Sequence, residues 1–119
     1  MIAARSLLLY LISHPDLGLS FSRAITGNLT PVTFADSEFG HHALDDGRAT
    51  SGYCIFIRSN LVAFAAKTQR GATKSSNDAE VAAVSLATSV TMKIRNYITD
   101  LGLEVAGPSP VLVDNESVY

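Results

Sequence analysis

Three acidic residues stand where an acid is either awkward or well aimed, and together they could hold divalent metal. Asp36 falls inside a β-branched and aromatic run from Val32 to Glu38, although Asp is disfavoured in strand interiors. Glu80 lies at the start of the best amphipathic helix pattern in the chain, and Asp114 directly follows the apolar run Val111-Leu112-Val113. Three carboxylates within reach of one another repel unless cations sit between them. Ligand sets made only of oxygen suit magnesium or manganese rather than zinc. Two such ions about 4 Å apart can activate a water and stabilise the leaving oxygen of a phosphodiester. The plainer reading is that Asp78 and Glu80 complement a helix dipole while Asp114-Asn115-Glu116-Ser117 forms a cap or turn. Spacing alone leaves both open.

A second group is cationic. Lys67, Arg70 and Lys74 fall just before the helix that carries Glu80, and Arg48 and Arg58 could lie near them. A few such side chains can contact phosphates without a basic protein overall, and a solvated loop would have the same charge pattern. Thr50 and Ser51 could hydrogen-bond sugar or phosphate, or cap a turn or strand edge. His41-His42 is a poor metal pair, because adjacent loop histidines need third and fourth ligands. No Gly-x-Ser-x-Gly elbow accompanies the Ser, His and Asp residues, so a hydrolase triad has no support.

Several elements must position these groups. Ile2 to Ser13 is dense in Ile and Leu and predicts a helix that packs on protein, stopped by Pro15. Leu17 to Arg23 alternates apolar and small residues, the period of a half-buried strand. Thr26-Gly27-Asn28 marks a turn, and Pro31 opens the strand through Glu38. Residues 39–51 read as a polar loop. Gly52 to Arg58 and Leu61 to Ala66 predict a tight hairpin joined by Ser59-Asn60. Ser75-Ser76-Asn77-Asp78 starts a helix whose apolar positions Ala79, Ala83, Ala87, Val90, Ile94, Ile98 and Leu101 share one face, with Gly102 as its stop. Val111 to Asp114 reads as a buried strand. A strand that follows a crossover helix pairs parallel to an earlier one.

Composition narrows the class. The chain has 119 residues, 47% apolar and 17% charged, with no Trp, which suits one globular domain with an aliphatic core. A net charge of −2 gives no global basic field, so nucleic-acid binding would rest on a local patch. One cysteine, Cys54, excludes an internal disulfide and a Cys-based zinc site, and it reads as a small buried hydrophobe. The apolar start lacks a small-residue cleavage site and is far short of the roughly 20 residues that span a bilayer.

From Leu17 onward the chain resembles the ribonuclease H domain of copia-type retrotransposon polyproteins. The likeness rests on five patterns in register. They are Phe-Ala-Asp-Ser-Glu-Phe at 34–39, Arg-Ala-Thr-Ser-Gly-Tyr at 48–53, and Lys67-Thr68-Gln69-Arg70 after the hairpin. Ser75-Ser76-Asn77-Asp78-Ala79-Glu80 and Val113-Asp114-Asn115-Glu116-Ser117 complete the set. Residues 4–20, with His14-Pro15-Asp16-Leu17-Gly18-Leu19, resemble the segment that joins the reverse transcriptase to that domain. The resemblance implies an α/β ribonuclease H-like mixed sheet: three antiparallel strands, a crossover helix and a parallel fourth strand. Residues 1–30 would be a connecting helix and short strand, and 31–119 a partial domain, incomplete at the C-terminus. It implies that Asp36, Glu80 and Asp114 are the first three catalytic acids, holding Mg2+ or Mn2+, two ions in the complete domain. The implied activity is cleavage of the RNA strand of RNA–DNA hybrids. The implied partners are the hybrid and the reverse transcriptase portion of the same polyprotein, with no membrane and no small-molecule cofactor. The implied setting is cytoplasmic, within a virus-like particle. Two departures stand out. Glu38-Phe39 replaces the usual Asp-Trp, and no residue here can serve as the family's fourth acid. The expectation is a fragment or decayed reading frame, either an active nuclease or an inactive remnant that binds nucleic acid or partner protein.

Overall fold

A computed structural model of the chain describes residues 2–23, 28–38, 48–71 and 75–114. Lys74, the His41-His42 pair, most of the 39–51 loop, the Thr26-Gly27 turn and Asn115-Glu116-Ser117 lie outside the described residues. The elements run α1 (Ile2–Ser13), β1 (Val32–Glu38), β2 (Thr50–Ile57), β3 (Asn60–Thr68), α2 (Ser76–Asp100) and β4 (Val111–Leu112).

The four strands form one sheet in the order β3-β2-β1-β4. β1 pairs antiparallel with β2, β2 antiparallel with β3, and β4 parallel to β1. α2 makes the connection from β3 to β4, so the sheet is the expected ribonuclease H-like mixed arrangement. Side chains alternate between faces along each strand. Thr33, Ala35, Ser51 and Ile55 are buried on the face covered by α2. α2 presents Ala79, Ala83 and Ala87 to that face, and all three are buried. Small side chains let the helix lie close to the sheet. In mid-helix, buried Thr91 replaces an apolar residue: its hydroxyl donates to the Ala87 carbonyl at 2.8 Å and lies 2.6 Å from the Thr33 hydroxyl.

The ends of α2 follow from its sequence. The Ser75 side chain accepts from the Asp78 N–H, which satisfies one of the free donors at the helix start. At the other end Gly102 takes φ +73°, and Leu103 N–H donates to the Ile98 carbonyl. That left-handed stop is cheap only for glycine.

Seven expectations change. Leu101, expected on the apolar face of α2, is exposed, and the expected buried strand from Val111 to Asp114 is only Val111–Leu112, with Leu112 exposed. Residues 14–23 form no strand, and Leu17, Leu19 and Phe21 are exposed. Instead of pairing with edge strand β3, this segment meets it through one side chain: the Asn60 amide accepts from Ser22 N–H and donates to the Ser22 carbonyl. β2 starts at Thr50 and β3 runs to Thr68, so Thr50, Ser51 and Lys67 sit on strands rather than loops. The hairpin turn is Arg58-Ser59, with φ +50° and +66°, because the last pair is Ile57 with Asn60. Cys54 is half-buried, on the sheet face away from α2. Finally, α1 packs on no other element among the described residues. No helix among the described residues is long and apolar enough to cross a membrane.

Candidate carboxylate site and cationic groove

Asp36 stands toward the C-terminal end of β1, and its neighbours in the ladder decide where its carboxylate goes. Ala35 and Thr33 face α2, so Phe34 and Asp36 face the other way and are exposed. The Asp36 carboxylate accepts a hydrogen bond from Ser37 N–H at 2.7 Å. Across the ladder its partner is Gly52, which leaves a notch beside it. An added Cβ there would meet the Asp36 and Ala65 carbonyl oxygens at 3.9 and 4.0 Å, ordinary contact distances. The backbone therefore tolerates a side chain at 52, and what Gly52 contributes is open space.

Asp114 comes to the same place through strand register. β4 pairs Val111 with Thr33 and Leu112 with Phe34. Two residues further along, Asp114 is level with Asp36. The two acids line one concavity of about 360 Å³, together with Phe34 and Leu112.

Glu80 is placed differently. It lies in the first turns of α2, on the opposite side of the sheet from Asp36, and is 8% exposed. Its Oε2 is buried and has no hydrogen-bond partner. An unpartnered buried oxygen costs about 1–3 kcal/mol, more when charged, and calls for an explanation such as a bound ion. The structure thus brings Asp36 and Asp114 together, while Glu80 does not line their concavity. Among the described residues no group of three His, Cys, Asp or Glu is arranged to hold a metal ion. The donors are all carboxylate oxygens, the chemistry that fits magnesium or manganese.

On the α2 side a second concavity, of about 410 Å³, is lined by Ser51, Lys67, Thr68, Gln69 and Arg70, with Ala82 and Leu86 as its apolar wall. Three of the expected phosphate-contacting residues therefore share one groove. Thr50 is level with Thr68 across the ladder, on the other face. Arg48 is exposed just before β2 and does not line the groove.

Gln69 builds that groove, a role that its place in the Lys67-Thr68-Gln69-Arg70 pattern does not reveal. Its side-chain amide donates to Ser51 Oγ at 2.9 Å and to the Ala79 carbonyl at 3.0 Å, while its N–H donates to the Ala49 carbonyl. It ties the ends of β2 and β3 to the residue before Glu80. A lone polar residue between a strand and a helix has no periodic signal that would announce this role.

No protein-family profile matches the chain, and no solved structure matches it. Two curated relatives do. A retrovirus-related Pol polyprotein from transposon RE2 of Arabidopsis thaliana is 27% identical over 113 residues, 95% of this chain. Its counterpart from transposon RE1 of the same plant is 26% identical over 113 residues. The chain spans 8% of the length of each. Across nearly all of its sequence, then, the chain is similar to one short segment of plant retrovirus-related Pol polyproteins.

Proposed function

We propose that this chain serves as the ribonuclease H-type part of a retrotransposon polyprotein, acting on the RNA strand of RNA–DNA hybrids. The observation that carries the reading is the parallel register of β1 and β4, which makes Asp36 and Asp114 neighbours over one concavity. The likeness to Pol polyproteins over 95% of the chain supports it, and so does the mixed sheet. Asp36 and Asp114 would hold Mg2+ or Mn2+ over their shared concavity, whereas Glu80, the third acid of the resemblance, carries an unpartnered oxygen but does not line it. When bound, the metal supplies an activated water and stabilises the leaving oxygen in phosphodiester hydrolysis. Ser51, Lys67 and Arg70 offer hydroxyl and cationic contacts to the phosphates of the hybrid from their shared groove. Arg48 and Thr50, which do not line that groove, and Lys74, outside the described residues, would be further contacts to the hybrid in the same reading. The reverse transcriptase portion of such a polyprotein would present the hybrid.

One observation favours a second reading, in which the chain binds hybrid without cutting it: the three acids do not form one metal-holding group. The experiment that separates the two is incubation of a labelled RNA–DNA hybrid with the chain, with and without Mg2+, beside Asp36→Asn. Cleavage that needs Mg2+ and disappears in the variant supports the nuclease. Salt-dependent binding without cleavage, lost in Lys67→Glu/Arg70→Glu, supports the second reading. Neither binding nor cleavage contradicts both.

A further inference from the structure

We propose that this chain forms a dimer in which α1 of each copy lies across the open sheet face of the other. This needs no substrate, and because it sets Arg5 against Asp36 it competes with the cation of the nuclease reading.

The first observation is α1 itself. Leu7 to Ile12 are six consecutive apolar residues, so they wrap the whole helix, and all are 49–65% exposed. A helix that is apolar all round is stable in water only when something covers it. No described element does.

The second observation is the sheet face away from α2. Leu112, Phe34, Cys54 and Phe64 are aligned across the four strands by register. Phe34 is 48% and Phe64 64% exposed, and the Phe34 ring meets Phe56 edge-on at 5.8 Å. Phe34, Gly52, Cys54, Phe64 and Ala66 line a trough of about 480 Å³ with the Asp36 carboxylate at one end.

The two surfaces match in charge and length. Arg5 is the one charged residue of α1, and it shares a face with Leu8, Leu9 and Ile12 by helical spacing. An apolar stripe with a cation at one end thus meets an apolar trough with Asp36 at one end, flanked by Glu38 and Asp114. Twelve helical residues are about 18 Å long, enough to cross four strands spaced about 4.8 Å apart.

A second copy covers α1 better than folding back within one chain. One sheet face shields only the Arg5–Leu8–Ile12 side. In a symmetric dimer the opposite side, with Leu7, Tyr10 and Leu11, packs between the two copies as well. The exchange of identical elements between copies is a cheap route to such a dimer. Residues 14–23 are exposed, Ser22 is held at the hairpin turn by Asn60, and α1 contacts no strand of its own sheet.

The test uses the full chain in EDTA, so that no cation competes with Arg5 for Asp36. Sedimentation equilibrium should show a dimer, and Leu8→Glu or Phe64→Glu should each raise its Kd at least about tenfold, the loss expected for one buried apolar side chain. Both side chains are exposed in the single chain, so far-ultraviolet circular dichroism should be unchanged. A tagged chain carrying Leu9→Cys and Cys54→Ala, mixed with the unmodified chain and oxidised, should give a mixed disulfide between the two. A monomer at all concentrations overturns the proposal. So does a dimer indifferent to both glutamates, or one that gives no mixed disulfide. Flotation of a monomer with phosphatidylcholine–phosphatidylserine vesicles, lost in Leu8→Glu, would assign α1 to lipid instead and also overturn it.

Discussion

The Thr33–Thr91 pair makes a prediction whose sign is unusual. Thr33 is fully buried and Thr91 is 2% exposed, with their hydroxyl oxygens 2.6 Å apart. Because Thr91 donates to the Ala87 carbonyl, Thr33 must be the donor between the two. Thr91→Val removes the acceptor and leaves a buried hydroxyl donor without a partner, which should cost about 1–3 kcal/mol. Thr33→Val removes only one hydrogen bond and leaves Thr91 donating as before, so about 0.5–1.5 kcal/mol is expected, offset in part by the strand preference of Val. Making both changes replaces a matched polar pair with two apolar groups of the same shape, which is near neutral. The double variant should therefore be more stable than Thr91→Val alone. Urea titration of the four chains reads this directly, since midpoint shifts at constant slope report stability. Strictly additive losses would refute the reasoning, because they would mean that the two hydroxyls are satisfied independently of each other.

Two further outcomes follow from single residues. Ser59 holds φ +66° in the hairpin turn, so Ser59→Gly should stabilise by about 0.5–1 kcal/mol, the relief of left-handed strain less the added freedom of the unfolded chain; a lower urea midpoint would contradict this. Glu80→Met removes a buried oxygen that lacks a partner, so without metal it should raise stability by about 1–3 kcal/mol. A thermal melt in EDTA checks it, and a clear loss of stability would mean that the carboxylate is satisfied in solution.

What could be read from the sequence depended on which signals are local. The Ala79–Ala83–Ala87 spacing, the Ser75 cap and the Gly102 stop are all contained within a few turns, and α2 begins and ends where they indicate. Asp36 in its strand and Asp114 after its apolar run were equally visible. That they are level with each other is a property of the β1–β4 register, which no local pattern encodes. The alternation of Leu17, Leu19 and Phe21 shows the opposite failure. Period two predicts a strand only if the segment pairs, and here it is held at edge strand β3 by the Asn60 side chain instead. Gln69 and Thr91 escaped notice for a related reason. Each is a polar residue whose partners lie on other elements, so its meaning exists only once the sheet and α2 have come together.

A divalent cation held by Asp36 and Asp114 is the centre of the proposed function. Calorimetric titration of the chain with Mn2+ should give saturable binding that is lost in Asp36→Asn and in Asp114→Asn. Binding that persists unchanged in Asp114→Asn would contradict it.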